Sequence, residues 1–243
     1  MFLINNKPHG KNPPFIIGKK FQDALKREGF IEEIDLMSGS IEVSGSSIGN
    51  ETLQKIMITG LDELSSIKTI WKINLEQEIE GISTKGKTTE MALLVLQEIS
   101  ENTYRLISFL IELKSSLQST IKNNKIKNTF SDIEDKFIAT MNRIYMLLTI
   151  NNHSNIEKGY STTTIYVVFK GIICYNKIHI KETQIVSRCK LYQMFKNDSH
   201  ELTCKTILHD KDKIQVKFFQ NPNLINNPQS FEIAIKDIIP IFS

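Results

Sequence analysis

The stretch that decides the predicted fold runs from Thr88 to Ile121 and reads TTEMALLVLQEISENTYRLISFLIELKSSLQSTI. It contains neither glycine nor proline, the two residues that most often interrupt a helix. A seam of mostly apolar side chains recurs at intervals of three and four residues, at Leu96, Ile99, Thr103, Leu106, Leu110, Leu113 and Leu117. Because this spacing places side chains on one face of an α-helix, it predicts a helix over residues 88–121.

A second apolar stripe follows, formed by Phe130, Ile133, Phe137, Met141, Ile144, Tyr145 and Leu148. Asn128 and Thr129 precede it as suitable helix caps, and Asp132 lies in the first turn, where the helix dipole favours an acid. The stripe predicts a second helix over residues 129–150. Since the connection between the two helices is short, we expect them to pack as an antiparallel αα-hairpin.

Stretches with the alternating pattern of strands lie on both sides of this hairpin, for example around Trp71 and from residue 163 onward. The sequence therefore predicts an α+β fold, with antiparallel β-sheet regions flanking a central αα-hairpin. We expect one domain with three parts: β-rich residues 1–86 with one short helix, the helical hairpin 87–158, and β-rich residues 159–243. A division into two domains near residue 158 is the alternative.

The composition is that of a globular protein, with 243 residues, 40% of them hydrophobic, and a net charge of +3. The most apolar stretches, 106–113 and 144–150, are shorter than the ~20 residues that a transmembrane helix needs. No secretory signal pattern is present at the start. The cysteines number three, which disfavours a disulfide framework. We therefore expect an intracellular, cytoplasmic protein, located in a host cell if it is viral.

One motif matches a nucleotide-binding pattern. Gly81, Gly86, Lys87 and Thr88 satisfy the P-loop spacing, in which glycine backbones, the lysine and the threonine hold phosphates and Mg²⁺ at a helix N-terminus. The predicted helix begins in the required place. However, the residues before Gly81 are rich in glutamate, where a buried apolar strand should lie. A nucleotide-binding P-loop enzyme is therefore the alternative function.

Cysteines and histidines cluster in the last third of the chain, at Cys174, His179, Cys189, His200, Cys204 and His209. None of them forms the Cys-x-x-Cys or closely spaced His pairs that zinc sites use. We therefore expect no metal site, no cofactor and no catalytic residue, and we interpret the cysteines as small buried apolar residues.

Basic residues suggest a third kind of site. Lys19, Lys20, Lys122, Lys125 and Lys127 could contact the phosphates of a polyanion. Only four of the basic residues are arginines, so nucleic acid would be bound without sequence preference. The primary functional hypothesis is a non-enzymatic binding or structural protein. Such a protein, of viral matrix or movement type, would form homo-oligomers and bind nucleic acid or an anionic membrane.

Overall fold

The computed structural model describes residues 3–6, 26–27, 29–45, 52–63, 65–75, 87–100, 103–122, 125–156, 163–180 and 189–239. Their strands are β1 (Leu3–Asn6), β2 (Ile31–Ile34), β3 (Ser40–Ser44), β4 (Lys55–Thr59), β5 (Ile67–Ile73), β6 (Met91–Ser100), β7 (Thr103–Lys122), β8 (Lys125–Asn128), β9 (Thr163–Ile180), β10 (Glu201–Cys204), β11 (Asp212–Gln220) and β12 (Ser230–Ala234). Their α-helices are α1 (Thr129–Ile156), α2 (Lys190–Lys196) and α3 (Ile235–Ile238). Two short 3-10 helices cover Leu36–Ser38 and Leu61–Glu63.

The predicted helix over residues 88–121 is wrong, because this stretch forms the two strands β6 and β7. They pair antiparallel, with Leu96 opposite Leu106. The chain is therefore mostly β-sheet, and neither the central αα-hairpin nor the α+β class is correct.

Burial on both faces explains the error. Alternate residues of β6 enter two different cores: Ala92, Leu94 and Leu96 enter one, and Met91, Leu93 and Val95 enter the other. A strand covered on both faces is apolar throughout, so its sequence resembles that of a buried helix. The seam residues are buried in these cores except Ile99, whose exposed fraction is 48%, and Thr103, whose burial is not described.

The second predicted helix is present. Helix α1 begins at Thr129, as expected, and continues past the predicted end to Ile156. The Asn128 side chain accepts a hydrogen bond from the backbone N–H of Phe130 at 3.0 Å, which satisfies one of the unpaired amides at the helix start.

The larger sheet has the strand order β10-β11-β9-β7-β6-β5-β2, with β1 also pairing with β9 and β8 with β7. Strands β7 and β9 are parallel from Thr103 opposite Thr164 to Ser119 opposite Ile180. Parallel neighbours need a crossover connection, and α1 lies in the segment that joins them. A smaller sheet has the order β12-β4-β3.

Three layers result. On one face of the larger sheet, α1 and α2 form the helix-side core with residues such as Leu106 and Phe137. On the other face, the smaller sheet forms the sheet-side core with residues such as Ile107 and Ile172. Gly171 permits the close approach of α1, since a Cβ atom there would lie 2.8 Å from ring carbons of Phe137.

The larger sheet contains strands from all three predicted parts of the chain: β5 from the first part, β6 and β7 from the second, and β9 from the third. The single domain itself stays a prediction. Among the described residues, no helix is long and apolar enough to cross a membrane. The intracellular location also stays a prediction.

Candidate metal centre

Two glutamates lie side by side where β6 begins. Met91, the first residue of β6, pairs with Ile111 of β7. Glu90 directly precedes Met91, and Glu112 directly follows Ile111. Both carboxylates contact the same ammonium group, that of Lys136 on α1. The antiparallel register therefore brings together two acids that are far apart in sequence.

Glu112 is fully buried, with an exposed side-chain fraction of 0%. Its Oε1 accepts from Nζ of Lys136 at 2.6 Å, and Nζ of Lys114 lies at the same distance. Its Oε2 is buried and has no hydrogen-bond partner among the described residues. Burying a carboxylate costs several kcal/mol unless its oxygens are satisfied. A buried oxygen without a partner requires an explanation, and a bound water or ion is one that would satisfy it.

Lys136 connects the helix to both acids. Its Nζ lies 3.4 Å from Oε1 of Glu90, and its side chain is 14% exposed. Burial acts to lower the pKa of Lys136, but the charges and hydrogen bonds of Glu112 and Glu90 outweigh burial and raise the pKa above its ordinary value of 10.5. Lys136 is therefore a cation at neutral pH.

Lys114 shares the site because of the strand geometry. It follows Glu112 by two residues, and alternate residues of a strand lie on the same face. Its side chain is 24% exposed, more than those of the other three members. The four residues Glu90, Glu112, Lys114 and Lys136 are called the carboxylate–lysine site below.

Helix α1 also holds the backbone beside Glu90. The N–H of Thr89 donates to Oγ1 of Thr140 at 3.1 Å, one helical turn beyond Lys136. The Thr89 hydroxyl donates to the carbonyl oxygen of Met91 at 3.1 Å. A turn further along, the buried Arg143 donates to the carbonyl oxygen of Leu75, just after β5. One face of α1 thus fixes the positions of both Glu90 and Lys136.

Glu90 also borders a polar cavity of about 360 Å³. Further side chains that line it are Glu32, Glu42, Lys72 and Asn74. Water and small ions can therefore approach Glu90 from this side, whereas the Glu112 side chain is fully buried.

The donor set fits a hard divalent cation. Mg²⁺ is commonly held by one or two carboxylates, with waters and substrate phosphates as its other ligands. No cluster of three or more His, Cys, Asp or Glu that could hold a metal occurs among the described residues. An all-protein cage of the zinc type is therefore absent from this part of the chain, and a cation at this site would have Glu90 and Glu112 as its carboxylate ligands.

The P-loop match lacks its structural context. No helix follows Thr88, because the strand β6 begins at Met91. Lys87 is 74% exposed, and its Nζ lies 4.0 Å from Oδ1 of Asp132. Gly81 and Gly86 lie outside the described residues.

The other predicted site residues do not gather. Lys19 and Lys20 lie outside the described residues. Lys122 pairs with Lys125 where β7 meets β8, and Lys127 is two residues further on. The backbone of these three lysines is described, but their side chains are not, so their binding role stays a prediction.

The three cysteines are buried and free. Burial raises the pKa of the Cys174 and Cys204 thiols, so neither is a reactive thiolate at neutral pH. His200 and His209 lie before and after β10 and form no metal-binding group with them among the described residues.

Sequence reasoning did not identify the carboxylate–lysine site. A helix over residues 88–121 would separate Glu112 from Lys114, because residues two apart do not share a helix face. The signal that could have identified them is Glu-x-Lys after an apolar run that includes two isoleucines and a phenylalanine, residue types that favour a strand.

No protein-family model, curated protein or solved structure matches this chain.

Proposed function

We propose that the carboxylate–lysine site binds Mg²⁺ or Mn²⁺ and hydrolyses phosphodiester bonds in nucleic acid. The observation that carries this proposal is Glu112: a fully buried carboxylate with one oxygen on two lysines and the other oxygen without a partner among the described residues. Because both ammonium groups bind Oε1, Oε2 is available to coordinate a cation.

The acids and the lysines of the site have different roles in this proposal. Glu90 and Glu112 would hold the cation, which when bound would act as a Lewis acid that polarises phosphate oxygens and lowers the pKa of water. Lys114 and Lys136 donate to the non-bridging oxygens of the phosphate, where negative charge grows in the transition state. Thr140 keeps Glu90 in place by holding the backbone of Thr89.

Hydrolysis suits the site better than transfer to a protein group. The hydroxyl of Thr89, the residue before Glu90, is buried and engaged with the carbonyl oxygen of Met91. Water is therefore the nucleophile: its oxygen attacks phosphorus, the bond to one ester oxygen breaks, and one proton of the attacking water ends on that leaving oxygen. Two cationic side chains beside two acids favour a phosphate substrate over a neutral one.

Nucleic acid is the proposed substrate because it is the polymeric phosphodiester. Residues 82–128, which carry both β6 and β7, have an excess of basic residues. Lys122 lies at the end of β7, and Lys125 and Lys127 lie on β8, which pairs with β7. The binding of nucleic acid without sequence preference, predicted from composition, becomes the docking step of this reaction. A non-enzymatic matrix or movement role rests on composition alone and is not carried further.

A cleavage assay tests the proposal. Supercoiled plasmid, single-stranded DNA and single-stranded RNA are incubated with the protein in Mg²⁺, in Mn²⁺ and in EDTA. We expect cation-dependent cleavage of at least one substrate, falling as salt rises because docking depends on counterion release. Glu112→Gln should lose about a hundredfold or more in rate, typical of removing a group that acts on the transition state.

The matched control is Glu201→Gln, which changes an exposed acid paired with Lys213 on β10 and β11. It should cleave at the wild-type rate. Equal cleavage by Glu112→Gln, cleavage that persists in EDTA, or no cleavage of any of the three substrates would contradict the proposal.

A further inference from the structure

A second site lies on the opposite face of the larger sheet. A cavity of about 250 Å³ lies over the paired strands β9 and β11, and its polar lining consists of Lys170, His200, Gln215 and Lys217. Its apolar lining includes Ile172 of the sheet-side core. Since the carboxylate–lysine site lies under α1, on the other face, the two sites are independent.

Lys170 is the central cation of this cavity. Its exposed fraction is 6%, and its Nζ donates to Oε1 of Gln215, the residue paired with it in the parallel register, at 3.1 Å. Lys217 lies two residues further along β11 on the same face, and its Nζ donates to the carbonyl oxygen of Asp237 at 2.5 Å. Two lysines that line one cavity are thus oriented by neutral acceptors.

The electrostatics of the cavity are those of an anion site. Burial first, and then the charges of Arg105 and Lys217, lower the pKa of Lys170 to about 8. No carboxylate occurs among the described residues that line the cavity. Like charges gathered in a low-dielectric cavity destabilise one another, and an anion placed among them offsets that cost.

The volume limits what can enter. Ligand pockets for drug-sized molecules usually span about 300–1,000 Å³, so this cavity is at or below their lower limit. A tetrahedral oxyanion offers several acceptor oxygens to the ammonium groups of Lys170 and Lys217 and to the His200 ring. We infer that this cavity binds a compact oxyanion, a phosphate group that is either free or carried by a small ester.

Titration calorimetry with inorganic phosphate, with sulfate and with AMP tests the inference, at constant ionic strength and about pH 8.5. We expect saturable binding of inorganic phosphate or AMP, and the comparison of the two shows whether the free ion or the ester is preferred. Sulfate does not titrate in this range, so proton uptake on its binding, measured in two buffers of different ionisation enthalpy, reports the protonation of Lys170.

Lys170→Met should weaken binding of the preferred ligand about tenfold or more, as expected for loss of a charged hydrogen-bond donor, and should abolish the proton uptake. Lys217→Gln should weaken binding without removing that uptake. The matched control is Lys213→Met, which changes an exposed lysine on β11, the strand that also carries Lys217. Binding unchanged in Lys170→Met, or no saturable binding of either phosphate ligand, would overturn the inference.

Discussion

Nζ of Lys136 on α1 donates a hydrogen bond to Oε1 of Glu112 on β7 at 2.6 Å. Glu112 is the only buried carboxylate among the residues that the structure describes. The bond joins the helix to the centre of the larger sheet through a charge pair instead of apolar contact. Buried ion pairs rarely stabilise a protein more than apolar residues of the same volume, but removing one partner of such a pair is costly.

The first prediction concerns this pair. Lys136→Met should lower the free energy of unfolding by about 1–3 kcal/mol, because it leaves the buried carboxylate with Lys114 as its remaining ammonium partner. The double variant Lys136→Met with Glu112→Leu should lose much less than the sum of the two single changes. Urea unfolding of the four proteins measures this coupling, and additive losses would show that the two side chains do not act as a pair.

The second prediction concerns the core of β7. Leu106 and Leu110 are fully buried in the helix-side core, so Leu106→Ala or Leu110→Ala should each cost about 2–5 kcal/mol of unfolding free energy. Ile99→Ala is the control and should change stability little, since that side chain is 48% exposed. Equal losses at all three positions, measured by urea unfolding, would contradict the assigned burial.

The third prediction concerns the contact between the sheet and α1. Gly171→Ala would place a Cβ atom 2.8 Å from ring carbons of Phe137, so we expect a loss of about 1–3 kcal/mol from overpacking. In a Phe137→Leu background the same change should cost less, because the ring is gone. Thermal unfolding of the wild type, the two single variants and the double variant measures these losses. A loss from Gly171→Ala that is the same with Phe or Leu at residue 137 would refute the proposed contact.

The fourth prediction concerns pH. The pKa of Lys170 is about 8 in the folded protein, whereas its ordinary value, which applies to the unfolded chain, is 10.5. Between pH 8 and pH 10.5 the unfolded chain therefore binds more protons than the folded one. Stability contributed by this group therefore rises with pH in that window, by on the order of 2 kcal/mol between about pH 7.5 and 9.5.

Lys170→Met isolates this effect. The difference in unfolding free energy between the variant and the wild type should shrink as pH rises through the window, since the wild type then no longer buries a charge. A difference that stays constant across the window, in urea unfolding at matched ionic strength, would exclude a titrating Lys170.

The sequence predicts some of the fold well, and the reason is local. Helix α1 has a cap at Asn128 and one polar face, so the cap and the spacing together favour a helix. Residues 91–113 could not be assigned in this way, because two layers bury both faces of β6 and β7 and so remove the alternation that distinguishes a strand.

The candidate site depends on that same assignment. Glu90 and Glu112 become neighbours only through the β6–β7 register, and Lys136 joins them only through the packing of α1 on β7. These are long-range relationships that no short motif encodes. The P-loop match, by contrast, was visible in the sequence and has no helix after Thr88.

Direct measurement of cation binding tests the central claim most sharply. Titration calorimetry of the full chain with Mn²⁺ should show one saturable site in the wild type and in Glu201→Gln. The same titration should show that site lost in both Glu90→Gln and Glu112→Gln, with each variant checked for folding by circular dichroism. Mn²⁺ binding that is absent from the wild type, or unchanged in the two folded carboxylate variants, would contradict the assignment of Glu90 and Glu112 as cation ligands.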